Sequence, residues 1–331
     1  MIQLSIDELL AQWADVEAAV DATEGIDPWC SGLDWVVPVA SGFAANGKRL
    51  LLRSADDNGY AILGYYRRGG RIFLAGIEPL WGFASPIFGP DPAALAGELR
   101  RFLANRPDWS MLALAGLPPH PHPLTSAISA QLRPLGPTLL TDGITRRVAD
   151  LSKGYETWLR ARSRRFRRNL RQAEARAVDD GVTVVDAAQD DNLFERLLDI
   201  EQYSWKGQDN TGITTPEMSV MYSMMIDRLR ERDRLQVFVA HLADSTEAGY
   251  ILGGIRNRRY RGLQISFSAH HRSLSIGNLL QNHQIRHLTD HDLADVYDMG
   301  MDFDYKQRWA DQAHSSVTLI LHRSSTLGPL S

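Results

Sequence analysis

Two stretches decide how this chain is read: residues 265–288, ISFSAHHRSLSIGNLLQNHQIRHL, and residues 296–309, VYDMGMDFDYKQRW. A strand-like run over 265–268 leads into a turn, and a helix opens at Ser275-Ile276-Gly277-Asn278. A second strand then delivers Tyr297-Asp298-Met299-Gly300, and an acidic loop ends at Tyr305-Lys306. A helix that starts beside a strand end presents free N–H groups and its positive dipole end, which suits an anion such as phosphate. The second strand end adds carboxylates and one ammonium to the same edge. The spacing predicts a phosphate grip and proton-transfer groups on adjacent elements.

Working outward, 331 residues favour two ordinary domains over one very large one, and 44% apolar residues suffice for normal cores. No run approaches the roughly 18 apolar residues of a membrane span, so no membrane partner is expected. The first twenty residues, MIQLSIDELLAQWADVEAAV, carry acidic residues where a secretory signal is basic. Ile6, Leu9, Leu10, Trp13, Val16 and Val20 recur there at helical spacing. Cys30 is the only cysteine, which excludes an internal disulfide and a cysteine metal cage and points to a cytoplasmic setting. The net charge of −4 arises in residues 1–150, where acids exceed bases; residues 151–331 are neutral. Lysine occurs only at 48, 153, 206 and 306 in an arginine-rich chain, which gives weight to a lysine inside a chemical motif.

After the first helix, WVVPVASGF, RLLLRSA, YAILGYYRR and RIFLAG read as strands separated by turn signals. DPAALAGELRRFLANR reads as a helix with Asp91 as N-cap, and MLALAGL as a short buried strand. PPHPHP reads as exposed and extended, LTSAISAQLRPLG as a helix, and 143–151 as a strand. Beyond it, helices are predicted over 154–160, 163–180, 191–203 and 216–232, with an irregular loop, GQDNTGITTP, before the last. Strands VTVVDA, LQVFVAHLA, GYILGGIRN, LQISFSA, VYDMG and SVTLILHR interleave with them. The order describes an α/β or α+β mixed sheet covered by helices, with a similar inventory in each half.

Asp298, Asp302 and Asp304, followed by Tyr305-Lys306, suit acyl transfer to an amine. A carboxylate can take the proton that an ammonium acceptor must lose, and Lys306 can stabilise the tetrahedral oxyanion. The alternative is a solvated loop with a surface ion pair. Residues 160–176 hold eight arginines and one glutamate, with Phe166, Leu170, Ala173 and Ala177 on one face. The arginines fit a clamp for phosphates or an RNA backbone, or a solvated face. His283, His287 and His291 lie four apart but lack the H-E-x-x-H pattern, so structural histidines are expected and no metal. Trp205-Lys206 precede the turn-rich loop, which can wall an acceptor site with Glu201 and Tyr203.

The order of elements over 235–323 resembles the second half of the GNAT acyltransferase fold, with SLSIGNLL where that fold binds pyrophosphate. RSRRFRRNLRQAEARAVDDGVTVV, LLDIEQYSWKG and YDMGMDFDYKQRW are similar to the FemAB-like and CelD-like branch, which joins two GNAT modules in tandem. The resemblance implies an N-terminal GNAT-like module over 1–145 without its own active site, a C-terminal one over 146–331 carrying the donor site, and a cleft between them. It implies an N-acyltransferase in which the acceptor amine directly attacks acyl-CoA or acetyl-CoA. Catalytic roles fall to Lys306, Asp298, Asp304 and Tyr305. Donor contacts fall to Phe267, Ser268, His271, Arg272, Ser273, Ser275, Ile276, Gly277 and Asn278, and a small-molecule amine to Glu201, Trp205, Lys206 and Asp302. Only the last glycine of the R/Q-x-x-G-x-G/A donor loop is kept, and some members of the branch take their acyl group from aminoacyl-tRNA. That donor stays open, as does a binding module that kept the fold and lost its chemistry. Oligomeric state is not legible.

Overall fold

The computed structural model describes residues 1–43, 48–78, 81–209 and 211–324. The chain divides into two compact units, Met1–Ile144 with residues from Ser315 onward, and Thr145–His314.

In chain order the first unit holds β1 (Ile2–Leu4), α1 (Ile6–Ala11), α2 (Trp13–Asp21), α3 (Pro28–Ser31), α4 (Leu33–Gly42), β2 (Arg49–Arg53), β3 (Tyr60–Arg68) and β4 (Arg71–Gly76). β5 (Ile87–Phe88), α5 (Pro92–Ala104), β6 (Met111–Leu117) and α6 (Pro123–Leu132) follow, and β7 (Thr138–Asp150) leads onward. The N-terminal amphipathic stretch is a short strand and two helices rather than one helix. The Ser5–Glu8 capping box starts α1 and Gln12 separates it from α2. WVVPVASGF, expected as a strand, lies in helix α4 with Pro38 inside it. Nearly every residue of α4 is buried, and an apolar run buried on all sides carries no period to distinguish helix from strand.

The second unit continues with α7 (Tyr155–Arg160), α8 (Arg164–Asp179), β8 (Thr183–Asp186), α9 (Leu193–Gln202), α10 (Trp205–Gln208) and α11 (Pro216–Arg230). Then come β9 (Leu235–His241), β10 (Glu247–Arg256), β11 (Arg259–Phe267), a 3-10 segment (Ala269–Leu274), α12 (Ile276–Asp290), β12 (Val296–Met301), α13 (Asp304–Gln307) and β13 (Gln312–His322). The GQDNTGITTP loop starts within α10 and contains a 3-10 turn at Gly212–Thr214; its Asn210 lies outside the described residues.

The second unit's strand order is β8-β9-β10-β11-β12-β7, antiparallel except for β11 and β12. In the first unit β4 and β6 form the matching parallel pair. The module expected over 146–331 does not keep its last strand. From Ser315 the chain belongs to the first unit, where Val317 faces Leu117 and His322 faces Met111 on β6. Alternating apolar residues of β13 fit that register, with Leu319 and Leu321 fully buried.

Two apolar clusters hold the second unit's helices to its sheet. Ile276 and Leu280 of α12 pack on Phe238, Ala240, Ala248 and Ile251. In the second cluster, which takes in Ile285 and Leu288 of α12, Trp309, 1% exposed, is stacked on Trp158 at 5.8 Å and meets Phe166 edge-on at 4.9 Å. The Trp158 indole donates to the Trp309 carbonyl at 3.1 Å. The apolar face of the arginine-rich helix thus fixes the chain just after α13.

Candidate active site

The β11–β12 ladder runs from Arg259–Val296 to Arg261–Asp298 and stops, while the strands continue to Phe267 and Met301. Beyond Arg261 the parallel strands part, leaving a fork at their carboxyl ends, where open parallel sheets bind ligands. Three segments converge there: 201–208, the 3-10 turn with the start of α12, and 298–307.

Ser275 takes the left-handed conformation (φ 57°) and no side chain caps α12. The first helical amides, Ile276 and Gly277, therefore meet no protein acceptor among the described residues. Asn278 N–H closes the turn on Ser275 O at 2.9 Å. Ile276's side chain lies in the core, so only its backbone can serve a donor. Ser268 is buried and accepts from His270 N–H, while Arg272 and Ser273 are exposed. His271 bonds through its amide to Ser268 O at 3.1 Å. Phe267 comes close enough to Gly277 that a Cβ there would stand 2.8 Å from the ring. The turn joins the 201–208 segment through Ala269 N–H donating to Tyr203 O at 2.9 Å.

Lys306 donates to the carbonyls of Met299 (2.6 Å) and Met301 (3.0 Å), so its ammonium sits against β12 at the fork. Burial, together with the charge of Arg261, pulls its pKa from 10.5 to about 7, outweighing Asp298. Lys206 adds repulsion and Asp302 attraction. Lys206 donates to Ile265 O on β11 at 2.8 Å, and burial lowers its pKa against the pull of Glu201. Two lysines a hundred residues apart in sequence thus stand on the two strands of one fork.

Two of the three expected carboxylates, Asp298 and Asp302, are engaged. Asp298, 1% exposed, bonds Arg146, Arg261 at 2.9 Å and the Gly300 amide at 2.8 Å. Burial opposes its ionisation, but Arg261 and Arg146 overcome that and hold it below the usual carboxylate range. A carboxylate so held is a poor proton acceptor, and its ion pairs tie β12 to β7 and β11. Asp302 is gripped bidentately by Arg147 at 2.8 Å through both oxygens, and that pairing lowers its pKa. Asp304 and Tyr305 are exposed.

Glu201 is fully buried, accepting from Tyr250 Oη at 3.0 Å and Gln264 at 2.9 Å. A Cβ on Gly212 (φ 82°) would stand 2.3 Å from its Oε1, so only glycine lets the loop fold back over the carboxylate. Glu201 therefore supports the 201–208 segment from within, while Trp205 is 56% exposed. Sequence reading missed Arg146, Arg147, Arg261, Tyr250 and Gln264. The signal was charge within strands: Arg146 and Arg147 on β7 and Arg261 on β11. Among the described residues no group of three or more His, Cys, Asp or Glu is placed to hold a metal. His283 and His287 instead pack edge-on against Phe238, and burial lowers both pKa values. No described helix is long and apolar enough to cross a membrane.

Residues 164–307 match the family model of the acetyltransferase (GNAT) domain. No curated protein matches the sequence. Among solved structures, a conserved protein of unknown function from Bacteroides thetaiotaomicron is 10% identical with TM-score 0.64, covering 94% of this chain and 97% of its own. FemX is 13% identical with TM-score 0.63, covering 96% and 97%. The C-terminal domain of a putative lysylphosphatidylglycerol synthetase from Agrobacterium fabrum is 16% identical with TM-score 0.56, covering 93% and 91%. At these identities the likeness is one of fold.

Proposed function

We propose, from a chain that carries a GNAT acetyltransferase domain over residues 164–307, that it is an N-acyltransferase using acyl-CoA, with the donor site in its second unit. What carries the reading is the pairing of an uncapped helix start with a lysine-lined fork at the carboxyl ends of β11 and β12. The donor's pyrophosphate meets the amides of Ile276 and Gly277, and its thioester carbonyl lies at Lys306. With Asp298 and Asp302 bound to arginines, the proton acceptor is Lys306 itself, whose neutral form is populated near pH 7.

Lys306 Nζ takes a proton from the acceptor ammonium, and the freed amine attacks the thioester carbon. As the C–N bond forms, the carbonyl π electrons move to oxygen, and the Lys306 ammonium donates a hydrogen bond to that oxyanion. Collapse breaks the C–S bond and expels the CoA thiolate, and the second amine proton passes to water. No enzyme-bound acyl intermediate forms.

Aminoacyl-tRNA as donor is favoured by one observation: Arg164, Arg165, Arg168, Arg171 and Arg176 of α8 are exposed and make no ion pair among the described residues. Thiol release from acetyl-CoA with an amine panel, before and after RNase treatment, separates the readings. RNase-insensitive release supports the first. Transfer found only with charged tRNA and abolished by RNase overturns it.

A further inference from the structure

Tyr203-Ser204-Trp205-Lys206 and Phe303-Asp304-Tyr305-Lys306 share one pattern, aromatic-x-aromatic-Lys. Each runs into a one-turn helix, α10 and α13, at the fork. Tyr203, Trp205, Phe303 and Tyr305 are 58%, 56%, 52% and 42% exposed, and they are all the exposed large aromatic side chains among the described residues. Single apolar side chains at a surface need no explanation, but aromatics gathered only around two half-buried lysines do. Phe303 and Tyr305 lie nearly parallel, 9° apart with centroids at 6.4 Å. Lys306 Nζ is 5.0 Å from the Phe303 ring and Lys206 Nζ 5.9 Å from that of Trp205.

An ammonium has three N–H donors. The carbonyls of Ile265, Met299 and Met301 occupy half of those on the two lysines, and no carboxylate pairs with either ammonium among the described residues. The guanidinium of Arg261, itself bonded to Asp298, repels Lys306 close by, so the spare ammonium donors stand beside a further cation. Such a place receives an anion, and the aromatic rims beside it receive a flat apolar body.

We propose that these six residues form the acceptor site, and that the acceptor carries a carboxylate or phosphate beside a flat apolar body, an aromatic ring or a sugar face. Lys206 holds the anion, Trp205 and Tyr203 flank it on the β11 side, and Phe303 and Tyr305 flank it on the β12 side, leaving Lys306 for the reacting carbonyl. The proposal rests on the reading of Lys306 given above and names the acceptor class for it.

The test is calorimetric titration of the donor-free protein with matched pairs: L-tryptophan against tryptamine, and glucosamine 6-phosphate against glucosamine, with glycine as an anion lacking the flat body. In at least one pair the anionic member is expected to bind about tenfold tighter or better, with glycine silent. That pair tells an aromatic amino acid from a sugar phosphate. Lys206→Met brings the ratio of that pair close to one. Trp205→Ala, which truncates an exposed side chain and spares the core, weakens the tighter member about fivefold or more. Equal binding within both pairs, no binding by either, or a ratio untouched by Lys206→Met overturns the proposal. Anion-selective binding without thiol release from acetyl-CoA would sink the donor reading alone. Thiol release to neutral amines without anion preference would sink the acceptor class alone.

Discussion

Replacing Lys306 by Met tests both the electrostatics and the chemistry of the fork. Its folded pKa is about 7 against an ordinary 10.5, so between those values the unfolded chain binds a proton that the folded chain does not. Stability therefore rises with pH across that window, and the ammonium costs the fold most below it. A fully desolvated group would give about 1.4 kcal/mol per pH unit; Lys306 is partly exposed, so roughly half to all of that applies. From pH 7 to 9 the wild type should gain on the order of 1–2.5 kcal/mol over Lys306→Met. Urea unfolding of both proteins at pH 7, 8 and 9 measures the difference, since other titrating groups largely cancel. The same titration should appear in kcat/KM, with an inflection near 7 and a fall of about tenfold per unit on the acid side. In the variant kcat/KM should drop by about 10²–10³ and lose that inflection. Stability curves that run parallel, or an inflection that survives in Lys306→Met, would refute the assignment.

Asp298→Asn leaves Arg146 and Arg261 with a neutral partner and should cost about 3–5 kcal/mol in urea unfolding; lost turnover at an unchanged midpoint would instead make Asp298 a reacting group. Gly249→Ala puts a Cβ 2.8 Å from Ile276, Phe267 and the Ser266 carbonyl, so α12 must shift at its start. We expect a loss of about 1–3 kcal/mol and a smaller thermal shift with acetyl-CoA. Cys30 is fully buried in the first unit, and direct transfer needs no nucleophile, so Cys30→Ala should keep the wild-type kcat while losing no more than about 2 kcal/mol; abolished turnover in a folded variant would demand an acyl-enzyme.

What the sequence made legible was local. Asp91 before Pro92, the turn signals bounding YAILGYYRR, and the glycine-bounded basic helix each carry their cause within a few residues, and each element formed where expected. WVVPVASGF failed because burial on all sides erases periodicity. The site failed differently: its lysines were identified but their partners were not. Arg146 meets Asp298 across 152 positions, and Lys206 meets Ile265 across 59. Such contacts depend on which strands become neighbours, and nothing near Asp298 says that β7 will lie beside β12. The final strand was assigned to the wrong unit for the same reason, since a partner for SVTLILHR is fixed only once β6 presents a free edge.

The first unit offers an internal control for assigning the chemistry to the second. Its parallel pair β4–β6 has the same three-rung ladder, from Phe73–Met111 to Ala75–Ala113, and then it also ends. There, however, the following segment occupies the space. A Cβ on Gly116 would stand 2.6 Å from Ala84 and the Phe83 carbonyl, and one on Gly76 3.6 Å from Pro86. Buried Glu78 fastens that segment by accepting from the amides of Trp81, Phe83 and Ala84 at 2.9–3.0 Å. Burial raises its pKa to about 7 against the pull of those amides, which suits a buried fastener rather than an anion receptor. The helix that opens nearby, α5, is capped by the Asp91 carboxylate, so the dipole end that would attract a phosphate already faces a negative group. At α12 no cap is present, and at its fork two ammonium groups replace the glutamate and the plug. If fork and helix start are what bind donor phosphates, Asp91→Ala should leave the acetyl-CoA thermal shift of the protein unchanged, whereas Gly249→Ala should reduce it. A shift that depends on Asp91 and not on Gly249 would place the donor in the wrong unit and remove the basis for the proposed site.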